Sequence, residues 1–330
     1  MKMKKILVAA LCCMTMIGLF GCQQAEEIKS SDEKLRMSIE ASIGDDGKVA
    51  GRTSLGNDGS VSFADNDEIG LFVKSRSVVR WIYDKDNNKW NSNGNVFWDN
   101  KVDKHKFYAF YPYVDGATLG NVPMPNLTEQ TGEMADIDDY DFLFATKTQS
   151  YGGDGVVSFS DDNAFEHVFS LIRITLQGEG DLVGSEINEI TINGEDIVAP
   201  RAYSFIDSNV VPLSEGDEGV DNLNLILTNL SLGLEGHTFY FVVNTGAELK
   251  DVDLKISYTK DNKNYIATLQ GMNTDETERE FESGKQYSYS LKVMDGVLTV
   301  SGNTIKKWED GVDMGDIIIN REEEQQESES

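Results

Sequence analysis

Three histidines, three cysteines and 57 acidic side chains are the groups with which this 330-residue chain could do chemistry. His105, His167 and His237 are scattered, and none stands at metal-ligand spacing from another. His167 lies in FEHVFSLIRITL among core-type residues and reads as structural. The run Asp84-Lys85-Asp86-Asn87-Asn88 begins like a calcium loop, but Lys89 stands where that loop needs Gly and Asn95 where it needs its last Glu. A solvated hairpin tip is the better reading. DIDDYD (136–141) reads as a solvated acidic loop rather than a cation site. There is no G-x-S-x-G elbow, P-loop or dinucleotide fingerprint, and Gly284-Lys285 runs on into Gln286. The expectation is therefore a protein that is not an enzyme, with no catalytic residue, no cofactor and no metal. A carboxylate-based hydrolase would need two acids facing each other in a cleft.

Aromatic residues are the other candidates. Trp81, Trp90, Trp98 and the tyrosines of KFYAFYPY (106–113) suit either a sugar-binding platform or cross-strand packing in a β-sandwich, and packing is the preferred reading. An exposed platform would mark a monomeric glycan-binding surface lipoprotein of a nutrient-capture system, which is the alternative function.

The chain opens MKMKKILVAALCCMTMIGLFGC, with Lys2, Lys4 and Lys5 ahead of an apolar run from Ile6 to Phe20. This is the pattern of an export signal over residues 1–21. Leu19-Phe20-Gly21-Cys22 resembles a bacterial lipobox, which predicts cleavage before Cys22 and lipid on that cysteine. Cys12 and Cys13 leave with the signal, so no disulfide is expected. Loss of the three signal lysines takes the net charge from −28 to −31. That charge argues against a nucleic-acid partner and against docking on anionic lipid.

Residues 22–34 read as a flexible lipoprotein tether, and REEEQQESES (321–330) as a disordered acidic tail. Everything between looks β-rich. LNLIL (223–227), DVDLKISY (251–258), RITL (173–176) and YSYSLKV (287–293) alternate as half-buried strands do. EIGLFV (68–73), KFYAFYPY and TFYFVV (238–243) do not alternate, which predicts burial on both faces. Turn dipeptides such as Asn93-Gly94, Asp154-Gly155 and Asn193-Gly194 separate the runs. Short strands so spaced predict an all-β fold of sandwiches. The Gly-rich stretch 178–186 predicts a boundary between an N-terminal sandwich (35–177) and a C-terminal one (178–320).

LRMSIEASI (35–43) is the unexpected segment. Leu35, Met37, Ile39, Ala41 and Ile43 alternate with polar residues, so a well-patterned strand sits beside the anchor, where chain ends are commonly loose. A loop rich in Gly and Asp then carries Arg52.

The chain resembles the fimbrillin family, the lipoprotein pilus subunits and related adhesins of anaerobic Gram-negative bacteria. The likeness rests on Arg52-Thr53, DNDEIGLFV (65–73), KFYAFYPY, EQTG (129–132), YDFLFA (140–145), FEHVFSLIRITL, FESGKQYSYSLKV (281–293) and a last segment with Ile305 and Trp308. The resemblance implies two transthyretin-like Greek-key β-sandwich domains in tandem, and a lipoprotein displayed at the outer membrane or in a fimbrium. It implies partners that are other pilus subunits, joined by strand exchange after an arginine-specific protease removes the N-terminal strand. Here the removable strand is LRMSIEASI and the cut follows Arg52; a cut at Arg36 would leave most of the strand in place. GVLTV (296–300) and VDMGDIIIN (312–320) are the candidate donor strands. Host or bacterial surface ligands are further candidate partners.

Overall fold

The computed structural model describes residues 35–44, 63–73, 77–214, 220–272, 279–294 and 297–308. The signal, Cys22, the tether, Arg52, VDMGDIIIN and the acidic tail lie outside them. The first strands are β1 (Ser38–Ala41), β2 (Glu68–Val73), β3 (Val79–Asp84), β4 (Lys89–Ser92), β5 (His105–Tyr111), β6 (Val122–Pro123), β7 (Leu143–Gln149), β8 (Val156–Phe159) and β9 (Glu166–His167). Then come β10 (Ser170–Gly178), β11 (Glu186–Asn193), β12 (Arg201–Ser204), β13 (Asn209–Pro212), β14 (Asn222–Ser231) and β15 (His237–Val243). The last are β16 (Asp253–Lys260), β17 (Lys263–Leu269), β18 (Lys285–Met294) and β19 (Val297–Lys307). Helix is confined to short 3-10 turns among the described residues, one of which, Met134–Asp139, overlaps the acidic run at 136–141. The chain is all-β.

A six-stranded antiparallel sheet, in the order β4-β3-β2-β5-β7-β9, forms the first half. Its middle strands are apolar on both faces, as their unalternating sequences require. Ile69, Leu71 and Val73 of β2, with Phe107 and Ala109 of β5, enter one apolar cluster. Phe72 and Phe110, on the opposite face, enter another. Gly70 opposes Phe110 in register, and a Cβ there would stand 2.2 Å from that ring. A glycine at this position lets the neighbouring aromatic lie flat over the strand.

The two faces have different covers. β1 and β8 pair in parallel over one. The β12–β13 hairpin, with β6 added to its edge, covers the other. Tyr203 stacks on Phe144 with ring centres 4.6 Å apart, and Phe205 lies 6.2 Å from Phe72 and 5.2 Å from Tyr108. This hairpin comes from between two strands of the second sheet, β11 and β14.

The second sheet has eight strands, ordered β14-β11-β16-β17-β19-β18-β10-β15. β10 precedes the Gly-rich stretch in sequence yet pairs inside this sheet, with β15 and β18. One pair, Thr268 with Val297, joins its two halves. The EQTG segment closes its β15 edge. The Gln130 side chain accepts from the Val242 N–H at 2.8 Å and donates to the Val242 carbonyl at 2.7 Å, and Tyr240 N donates to Gly132 O at 2.9 Å. A side-chain amide thus does the work of another strand.

β19 ends against the first half. Trp308 stacks on His167 at 4.3 Å, and its backbone N–H donates to Gly284 O. His167 Nδ1 lies 2.9 Å from Asp141 Oδ2, an ion-pair distance without hydrogen-bond alignment. His167 is a packing residue, as its surroundings in the sequence suggest.

Tyr203 gives a pH test of the hairpin cover. Burial, with the charge of Glu166 second, pushes its phenol up to about 12. Below pH ~10 the group is protonated whether the chain is folded or not; above it the unfolded chain alone releases the proton, so stability falls through pH ~10–12. The expected loss is on the order of 1–3 kcal/mol at the top of that window. Urea titrations of wild type and Tyr203→Phe at stepped pH check this, and the variant should show the shallower alkaline fall.

Candidate functional site

The described part of the N-terminal segment occupies a seat of its own in the fold. LRMSIEASI runs between two partners. On one side Met37 N donates to Val96 O and Trp98 N to Leu35 O, both at 2.8 Å. On the other, Ser38 N donates to Gly155 O at 3.1 Å and Ser42 N to Phe159 O at 2.9 Å. Beyond β1 the segment finishes against Phe165, which donates to Ser42 O, while Gly44 N donates to Phe165 O. One edge of the backbone is thus bonded over residues 35–37 and the other over residues 38–44.

The alternation read from the sequence sets the burial. Met37, Ile39 and Ile43 are 3%, 4% and 9% exposed, whereas Leu35 and Ala41 are half-buried. Three anchors rather than four therefore fill the seat, and at ~1.5–3 kcal/mol each they contribute about 4.5–9 kcal/mol. Trp81, Trp90, Trp98, Phe63, Val157, Phe159 and Phe165 belong to the same cluster.

Trp98 and Gly155 form the wall at the start of the strand. The Trp98 indole N–H donates to Gly155 O at 2.9 Å. Gly155 has φ +80°, and a Cβ there would stand 2.4 Å from the Arg36 carbonyl oxygen. Asp154-Gly155 reads as a turn in the sequence; its further role, letting the β1 backbone come close, carries no local signal.

The other candidates do not converge. Trp81, Trp90 and Trp98 are 2%, 3% and 4% exposed, so they form core and not a platform. His105 is buried beside Trp98, His167 sits under Trp308, and His237 is exposed on β15. Asp84 closes the β3–β4 hairpin, where hydrogen bonds from the Asn87 side chain and then its backbone N–H hold its carboxyl below the usual range. Among the described residues no group of three acids, histidines or cysteines is placed to hold a metal ion.

A model of fimbrillin-like proteins matches residues 52–308. The chain belongs to the fimbrillin-like family. Among solved structures, this fimbrillin-like chain is similar to a candidate cell-adhesion protein from Bacteroides uniformis ATCC 8492, with 15% identity and a TM-score of 0.57, over 84% of this chain and 99% of that one. A candidate cell-adhesion protein from Bacteroides ovatus ATCC 8483 matches with 14% identity and a TM-score of 0.49, over 83% and 98%. The tip fimbrial protein Mfa3 from Porphyromonas gingivalis, with a C-terminal truncation, matches with 10% identity and a TM-score of 0.48, over 83% and 100%. Comparison with curated proteins finds no match. The first likeness shows the fold. The fimbrillin-like match begins at residue 52, so β1 lies N-terminal to it.

Two substitutions test the seat. Ile39→Ala should cost about 2–5 kcal/mol, the usual range for a buried Ile truncated to Ala. Gly155→Ala should cost about 1–3 kcal/mol through its strained φ and the Arg36 clash. Hydrogen exchange should rise in residues 36–44 of both variants and stay unchanged in β10 and β18.

Proposed function

We propose that this protein is a surface-anchored fimbrial subunit or adhesin that assembles by exchange of the LRMSIEASI strand. The observation that carries the reading is the seat itself. A terminal strand is hydrogen-bonded on both edges and inserts three apolar side chains, yet belongs to neither large sheet. Its removal opens a groove of unpaired backbone groups and apolar pockets, which is a template for strand addition.

In this proposal Cys22 carries lipid at the outer membrane, and a protease cuts after Arg52, in the sequence that follows the strand. Cutting there frees LRMSIEASI and its tether as one piece. Of the two donor candidates, residues 297–300 are paired with β18 in this chain. VDMGDIIIN is therefore the proposed donor toward the next subunit. A cleft of about 270 Å³ lined by Gly44, His167, Lys285 and Lys307 puts the end of the strand beside the end of β19. The two-sandwich organisation expected from the sequence is part of the same reading; one apolar cluster lies wholly within residues 37–165, and the other draws on both halves of the chain. Burial of the three tryptophans favours this reading over a glycan-binding platform.

Two measurements check the proposal. After complete arginine-specific digestion, electron microscopy should show polymers of the wild type, and Arg52→Ala should stay monomeric with its fold intact. Wild-type protein that remains monomeric once cut after Arg52 would overturn it. Cys22→Ala should abolish acylation and release the protein from membranes, since anchoring rests on acyl chains rather than charge; mass spectrometry of native membranes reads this directly.

A further inference from the structure

The resident strand fixes a pattern that any other occupant of its seat must meet. Met37, Ile39 and Ile43 are buried there, so a replacement must set apolar side chains at i, i+2 and i+6, or at the same spacing reversed. The position of Ala41 is half-buried and tolerates more. Beyond Trp308, which is held against His167, the large apolar residues of the sequence are Val312, Met314, Ile317, Ile318 and Ile319. One placement of them, in either direction, fills all three anchors. Val312 takes the place of Met37, Met314 of Ile39 and Ile318 of Ile43, with Asp316 at the position of Ala41. Run backwards, Ile319 and Ile317 take the first two places, but Asp313 then falls on the third. The fitting placement runs parallel to β8, as the resident strand does.

In that placement the sequence after Ile318 soon turns acidic. Ile319 stands where Gly44 stood, and Glu322, Glu323 and Glu324 come three to five residues on, about 10–17 Å further if extended. Gly44 is on the wall of the cleft of about 270 Å³ described above, and Lys285 and Lys307 line the same cleft. These two lysines are register partners on β18 and β19, so they stand directly opposite each other. Like charges so placed repel. Glu166, also on the wall, answers one of the two charges. The cleft is therefore net positive in a chain whose net charge is −28.

We propose that this cleft holds the Glu322–Glu324 run of the next copy, whose residues 312–318 occupy the seat. The inference rests on the strand-exchange reading and adds to it an electrostatic site, a register and a direction. An acidic run relieves the repulsion between the opposed lysines and gives the incoming strand a contact that depends on charge rather than on apolar area. It also fixes the register. A slip of two residues keeps the same side chains facing the core, but it moves the acids about 7 Å along the seat relative to the lysines.

The test uses the full chain cut after Arg52, at nanomolar concentration, and two fluorescent peptides, residues 312–320 and 312–324. At low salt the longer peptide should bind about tenfold tighter, as two or three exposed ion pairs allow. The gain should vanish at ~1 M salt, where the screening length is about 3 Å. Lys285→Gln together with Lys307→Gln should erase the gain and leave the shorter peptide's affinity unchanged. Direction is read in the longer peptide. Ile318→Ser, which empties an anchor, should weaken binding about tenfold or more. Ile317→Ser, at the place of Ser42, should weaken it by less than about twofold, since that position carries no anchor. Equal affinity of the two peptides overturns the proposal and leaves strand exchange standing. So does a greater loss from Ile317→Ser than from Ile318→Ser, which means the reversed direction. An advantage that appears only once the protein's own Glu322, Glu323 and Glu324 are changed to Gln puts a chain's own tail in the cleft, and overturns it as well. If neither peptide binds, strand exchange itself fails and this inference with it.

Discussion

The structure depends on one constraint: the six-stranded sheet is apolar on both faces, so it needs two covers. Neither cover belongs to the sheet. One is the N-terminal strand with β8; the other is a hairpin lent by the second half of the chain. The consequence is asymmetric. The hairpin is continuous at both ends with β11 and β14, and cannot leave without breaking the eight-stranded sheet. The N-terminal strand precedes every other strand among the described residues. A cover that is both terminal and well patterned is separable in a way an internal strand is not.

Energy limits what separation can mean. The three buried anchors contribute about 4.5–9 kcal/mol, and a folded domain of ordinary stability has about 5–15 kcal/mol in all. The strand's backbone groups add further cost when left unpaired in an apolar trough. An empty seat is therefore near the edge of unfolding of the first half, so in the proposed exchange the seat must pass quickly from one strand to another.

Much of this was legible in the sequence where burial dictates residue type. EIGLFV and KFYAFYPY lack alternation because both faces of β2 and β5 are covered, and LRMSIEASI alternates because its outer face meets water. The tryptophans read as packing residues, and they lie in the core. What escaped notice depends on distant partners. Gly155 reads as a turn, and its role beside Arg36 needs a strand more than a hundred residues earlier in the chain. Gln130 looks like a polar loop residue until the β15 edge is in place. GVLTV looks available as a donor, but β18 holds it. The crossing of the 201–212 hairpin to the first sheet has no local signature, since its apolar residues suit either sheet. Leu35 fits the alternation yet is half-buried.

The central claim is that the seat takes a strand by pattern and position. Peptide exchange on protein cut after Arg52 measures this most directly. A fluorescent peptide of residues 35–44 should replace the resident strand, and its uptake should fail when Met37, Ile39 and Ile43 are all changed to Ser. Equal uptake of both peptides, or refusal of both by fully cut and folded protein, would contradict the account.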